Sequence, residues 1–131
     1  MTGPTTDTAA LAVDGTTVHT RATVYTVSCL PDDPIDGDLF AITVEFRGGH
    51  AWGQPRPLDQ QWAVLMRGHW NLGHDGKWSL KPSSDDEGYE HWIATHRFDL
   101  ETALKVAAEQ APKVTINGST PADVLARRAA R

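Results

Sequence analysis

From Leu39 to Arg47 apolar and polar residues alternate without a break, with Phe40, Ile42, Val44 and Phe46 on one face and Ala41, Thr43, Glu45 and Arg47 on the other. Side chains of a strand point alternately to its two faces, so this stretch predicts a half-buried antiparallel strand. Such a strand needs strand neighbours and a covering layer for its apolar face. The neighbours are legible nearby. Ala22–Leu30 is rich in β-branched residues and stops at Pro31-Asp32-Asp33-Pro34. Gly48-Gly49 ends the alternating strand, and a proline-bearing stretch to Pro57 reads as a loop. Trp62, Val64 and Met66 then share a face, and Trp70 and Leu72 keep that parity beyond Gly68. Either one strand bends at Gly68 or two short strands meet there.

The segment Trp70–Leu80 reads as a hairpin whose register can be chosen. A two-residue Asp75-Gly76 turn sets Leu72 opposite Ser79 and mixes the faces. A three-residue loop, His74 to Gly76, with Gly76 in the left-handed conformation, pairs Leu72 with Trp78 and Trp70 with Leu80. Four apolar side chains then share one face, leaving Asn71, Lys77 and Ser79 on the other, and this register is preferred.

Asp99 predicts the N-cap of a helix through about Ala111, with Leu100, Ala103, Leu104, Ala107 and Ala111 as its apolar stripe, stopped by Pro112. Val114-Thr115-Ile116 fits a short strand, Asn117-Gly118 a turn, and Thr120-Pro121-Ala122-Asp123 the capped start of a second short helix. The expected fold is α+β: an antiparallel sheet of four to five strands, then a helix, a short strand and a second short helix. Residues 1–17, rich in Thr, Ala and Gly, are read as a flexible N-terminal arm and residues 18–131 as one domain, the usual number for a chain of 131 residues.

The composition, 40% hydrophobic and 22% charged, is that of an ordinary globular protein, and no apolar run reaches the roughly 18 residues of a membrane span. Met1–Thr8 has neither the basic start nor the apolar core of a secretory signal, so the expected location is the cytoplasm. A net charge of −5 disfavours a nucleic-acid partner, because phosphate binding draws on clustered Lys and Arg. The basic cluster Arg127, Arg128 and Arg131 ends a predicted helix, where the macrodipole favours cations. The single cysteine, Cys29, has no internal disulfide partner and reads as a structural thiol.

All five tryptophans and five of the six histidines lie between His50 and His96, where binding chemistry is to be sought. His69 with His74, and His91 with His96, are each five residues apart. That spacing turns side chains by about 140° on a helix and sends them to opposite faces of a strand, so neither pair converges on a metal unaided. No His-Glu-x-x-His, Cys-x-x-Cys, Gly-x-Ser-x-Gly or Walker pattern occurs. The acidic run Asp32 to Asp38 fails the calcium-loop pattern, since no glutamate closes it. Asp85, Asp86, Glu87 and Glu90 read as a solvated loop before Trp92. Trp62, Trp70 and Trp78 carry strand parity and read as core. Trp52 and Trp92 lack it and are the candidates for a surface patch.

YTVSCLP near the start, the Trp-containing strand and Asp-Gly hairpin in the middle, and HRFDLETAL, VTING and ADVLA toward the end resemble a group of small uncharacterised actinobacterial and actinophage proteins, over roughly Val24 to Ala126. The resemblance implies a compact cytoplasmic accessory protein of phage or mobile-element origin and transfers no catalytic residues. The leading expectation is a non-catalytic protein-interaction module that binds another protein, with Trp52, Trp92, His91 and His96 as binding candidates and no metal or cofactor assigned. The alternative is a small metal-dependent hydrolase using His91, His96 and nearby carboxylates.

Overall fold

The computed structural model describes residues 8–30, 36–48 and 58–130. Its elements in chain order are strands β1 (Thr8–Val13), β2 (Thr16–Arg21) and β3 (Val24–Val27), helix α1 (Asp36–Leu39), then β4 (Ile42–Phe46), β5 (Trp62–Met66), β6 (Trp70–Leu72) and β7 (Trp78–Leu80). Three helices close the chain, α2 (Tyr89–Thr95), α3 (Leu100–Gln110) and α4 (Pro121–Ala129). The fold is α+β, with a five-stranded antiparallel meander in the order β3-β4-β5-β6-β7 and a separate two-stranded sheet, β1-β2.

The register of the meander follows from the alternation. Val44 faces Tyr25 and Val64, Phe46 faces Trp62, and Met66 faces both Ile42 and Trp70, so one sheet face gathers the large apolar side chains. Gly68 marks a junction of two strands rather than a bend in one: Arg67 and Gly68 both have positive φ (54° and 77°) and reverse the chain between β5 and β6. At the next turn Gly76 has φ 81°, and Trp70 faces Leu80 while Leu72 faces Trp78. The three-residue loop thus keeps both tryptophans in parity with the core face.

Helix α3 packs on β3, β4 and β5. Asp99 caps it, its carboxylate accepting from the Thr102 amide at 2.6 Å, and Leu100, Ala103 and Ala107 form its buried stripe. The small alanines let the helix sit close to Ile42, Val44 and Val64, each 0% exposed. Val124 of α4 completes the cluster, and Thr120 and Asp123 cap that helix reciprocally. The strand expected at Val114–Ile116 is reduced to a bridge between Ile116 and Ser119 around Asn117-Gly118. Cys29 is half-buried against the core.

Besides that bridge, and the strand expected from Leu39, which begins only at Ile42 after the helical turn α1, two segments differ from the sequence reading. Across the end of the expected N-terminal arm (residues 1–17), Thr8–Val13 pairs with Thr16–Arg21 through an Asp14-Gly15 turn with φ values of 50° and 79°. Both central residues take the left-handed region, as a two-residue hairpin loop requires, and Asp-Gly is suited to it. The second difference is α2. Tyr89, Trp92, Ile93 and His96 recur at helical spacing, so the stretch read as an acidic loop leading to Trp92 becomes helix from Tyr89.

Candidate functional site

The second face of the meander carries the row Thr26, Thr43, Leu65, Asn71 and Ser79, each directly opposite the next across the five strands. Here the C-terminal end of α2 docks. The indole N–H of Trp92 donates to Ser79 Oγ at 3.1 Å, and Ser79 Oγ lies 3.0 Å from His96 Nε2. His96 Nδ1 is 2.7 Å from the Trp92 carbonyl and 2.9 Å from Thr95 Oγ1. The Trp92 and His96 rings stack with centroids 4.0 Å apart and planes 10° off parallel.

These contacts assign the protons. With Nδ1–H donating to the Trp92 carbonyl, Nε2 offers its lone pair to the Ser79 hydroxyl, which in turn accepts from the indole. The bonds run in one closed ring from Trp92 to Ser79 to His96 and back to Trp92. Burial holds the His96 pKa below the usual imidazole range, opposed by the Trp92 carbonyl and Asp75, so the neutral ring is the form that fits this cycle. Gly73 is buried beside it, and a Cβ there would lie 2.9 Å from His96 Nε2 and 2.7 Å from Asp75 Oδ1.

The helix end is tied to the hairpin at further points. The His74 amide donates to the Thr95 carbonyl at 2.9 Å, and His74 Nε2 lies 2.7 Å from the Arg97 carbonyl. Arg97 donates through Nη1 to Asn71 Oδ1 at 3.3 Å and to the His96 carbonyl at 2.8 Å. Phe98 then pairs with Trp62, each amide bonding the other's carbonyl, so the α2–α3 connection is fixed to the edge of β5.

A serine hydroxyl 3.0 Å from an imidazole has the separation of a nucleophile and its general base. Two features turn it toward a structural role. The hydroxyl is already both donor and acceptor within the ring, and the imidazole is stacked beneath the indole that closes the ring. The arrangement clamps α2 to β6 and β7.

Of the expected site residues, Trp92 and His96 come together, with Trp92 on a helix and half-buried. His91 is exposed on α2 and does not join them; among the described residues no three His, Cys, Asp or Glu side chains gather as a metal site. Trp52 lies outside the described residues. Ser79, Asn71, Arg97 and Gly73 are the members that sequence reading missed. The parity of Asn71 and Ser79 on the second face was a usable signal for two of them. The docking of α2 on that face was not, because no residue pattern names its partner.

Between α2 and α3 lies a cavity of about 640 Å³ walled by His74, Ile93, Phe98, Asp99, Thr102 and Val106. Its polar groups are largely engaged with one another: Asp99 caps α3 and His74 holds the Arg97 carbonyl. No family model matches the chain, and neither a curated protein nor a solved structure does.

Proposed function

We propose that this is a small non-catalytic accessory protein of the cytoplasm that works by binding another protein. The observation that supports it is the β1–β2 hairpin. Leu11 and Val18 face each other across the pair and share a face with Val13, and these three side chains are 65%, 42% and 44% exposed. Every described side chain of β2 is exposed, and the hairpin forms a sheet of its own. A two-stranded hairpin is at best marginally stable in water, and its outer edges carry main-chain groups ready to bond a further strand. A partner that covers the Leu11, Val13 and Val18 face and adds an extended segment at the edge meets both needs. The resemblance to actinobacterial and actinophage proteins supports placing this accessory role in a phage or mobile element.

The double substitution Leu11→Thr with Val18→Thr puts a strand-favouring β-branched residue at both positions while removing two of the three apolar side chains of the face. Against a partner identified by co-purification, this variant is expected to bind at least about tenfold more weakly, the loss typical of an interface anchor. Equal binding by the variant and the parent overturns the reading. A parent that is dimeric by sedimentation, and monomeric once so substituted, overturns it in favour of a second copy of the chain. The hydrolase alternative has weaker support, since His91 and His96 diverge on α2.

A further inference from the structure

Beside the α2 clamp, on the same second face of the meander, lies a depression of about 370 Å³. Its floor is Leu65 and Asn71, 2% and 4% exposed. Around that floor stand Arg47 from the end of β4, His69 from the β5–β6 turn, Lys81 beyond β7 and Arg97 beyond α2. Among the described residues that line it, none is acidic. Glu45 of β4, two residues before Arg47, has its carboxylate paired with that guanidinium at 2.9 Å. A chain with a net charge of −5 thus brings three cations, Arg47, Lys81 and Arg97, from separate parts of the chain to one hollow.

The cationic groups are held in different ways. Arg97 is fixed at two points by Asn71 Oδ1 and the His96 carbonyl, and Asn71 in turn donates to the His69 carbonyl at 3.2 Å. The buried amide therefore sets both the guanidinium and the turn bearing His69. Lys81 is exposed, with its ammonium 5.7 Å from the Tyr89 ring centre at the end of a long aliphatic stem. A fixed guanidinium fork, a second arginine and an exposed ammonium are the groups that proteins bring to a multiply charged oxyanion. Like charges gathered at one hollow repel, and a bound dianion removes that repulsion more fully than a single carboxylate does.

We propose that this depression binds the phosphate group of a small molecule, with Arg47, Lys81 and Arg97 as its charged contacts and Asn71 as the residue that positions Arg97. The site belongs to the main domain and does not rest on the hairpin reading. Its volume is in the range of small-ligand pockets.

The test is a titration of the full chain, ¹⁵N-labelled, with inorganic phosphate at constant ionic strength, followed by amide shifts. Saturable shifts are expected at Leu65, Gly68, His69, Asn71 and Arg97. Lys81→Gln and Arg47→Gln alter exposed side chains, so their spectra should report an intact fold. Each should weaken phosphate binding roughly tenfold, the loss of one charge-assisted hydrogen bond. Acetate, titrated in parallel, should bind more weakly than phosphate. Shifts that fail to saturate, or that persist unchanged in both variants, overturn the proposal, and acetate binding as tight as phosphate overturns the phosphate class.

Discussion

The hairpins β1–β2 and β6–β7 both turn on Asp-Gly, yet they end in different surroundings. Asp14-Gly15 forms a two-residue loop with both φ values positive, whereas the loop His74 to Gly76 places Gly76 alone in the left-handed region. The turns set the registers. What the strands carry decides what each register is used for. In β6–β7 the register buries Leu72, holds Trp70 and Trp78 half-buried on the same side with Leu80 at its exposed rim, and presents Ser79 to α2 and Asn71 to Arg97. In β1–β2 one face holds Leu11, Val13 and Val18 among alanine and threonine, and it stays in water. Local turn chemistry is sufficient to form a hairpin; residence in the core depends on side-chain bulk and on a second element that meets it.

The largest effect expected from this contrast is on the core beneath β4. Ile42 is 0% exposed, and Ile42→Ala should cost about 2–5 kcal/mol by lost transfer free energy and the cavity left behind. Val18→Ala, in the exposed hairpin, should leave global stability within about 0.5 kcal/mol. Urea unfolding of both variants checks this. A comparable loss in the two would mean that the hairpin is part of the cooperative unit, and the contrast would fail.

The next effect tests the clamp. Trp92→Phe keeps an aromatic ring over His96 but removes the N–H that Ser79 accepts. The expected loss is about 1–2 kcal/mol, as for a partly buried hydroxyl deprived of a donor. Amides of β6 and β7 should exchange faster while those of β1 and β2 stay unchanged. Were β7 to keep its protection, Ser79 and Trp92 would be neighbours without being a tie.

Much of this molecule was legible from short-range pattern. The parity of Ile42 to Phe46, the Asp99 and Thr120 caps and the choice of a three-residue loop at Gly76 each follow from interactions within a few residues. The helix at Tyr89 was legible in principle from its i, i+3, i+4 spacing, but the acids before it read as a solvated loop. The clamp was not legible. It joins Ser79 to Trp92 and Asn71 to Arg97, and which of two exposed-looking faces a short helix covers is a tertiary choice with no local signature. Trp92 and His96 were singled out as chemical residues. The i, i+4 relation that stacks them appears only once the helix is in place.

A smaller effect separates the two turns. A Cβ added at Gly15 or at Gly76 would meet no atom within 4 Å, so alanine at either position faces only the left-handed backbone cost, about 1–2 kcal/mol. Gly76→Ala should lower global stability by about that amount, because β6–β7 unfolds with the core. Gly15→Ala should spend the same cost locally, raising amide exchange in Thr16–Arg21 with the urea midpoint unmoved. Equal shifts of the midpoint would again join the two regions.

The smallest effect is one of pH and acts on the stitched hairpin through His96. Its folded pKa lies below the ordinary 6.5, chiefly because burial disfavours the cation; Arg97 and His74 add to this, while the Trp92 carbonyl and Asp75 oppose it. The unfolded chain therefore takes up this proton first as pH falls, and folding loses stability from about pH 6.5 downward until the folded pKa is passed. Protonation places a hydrogen on Nε2 and reverses this link: the Ser79 hydroxyl then accepts from the imidazolium as well as from the indole, and its own hydrogen must turn away and loses the acceptor it had in the ring. Asp123, also shifted, does not enter this window: its hydrogen bonds with Thr120 lower a pKa that starts at 3.8. Urea unfolding at pH 7.5 and pH 5.5 should show the parent less stable at the lower pH, and His96→Gln should narrow that difference. A difference of the same size in the variant would detach His96 from the pH response and leave the clamp a matter of geometry alone.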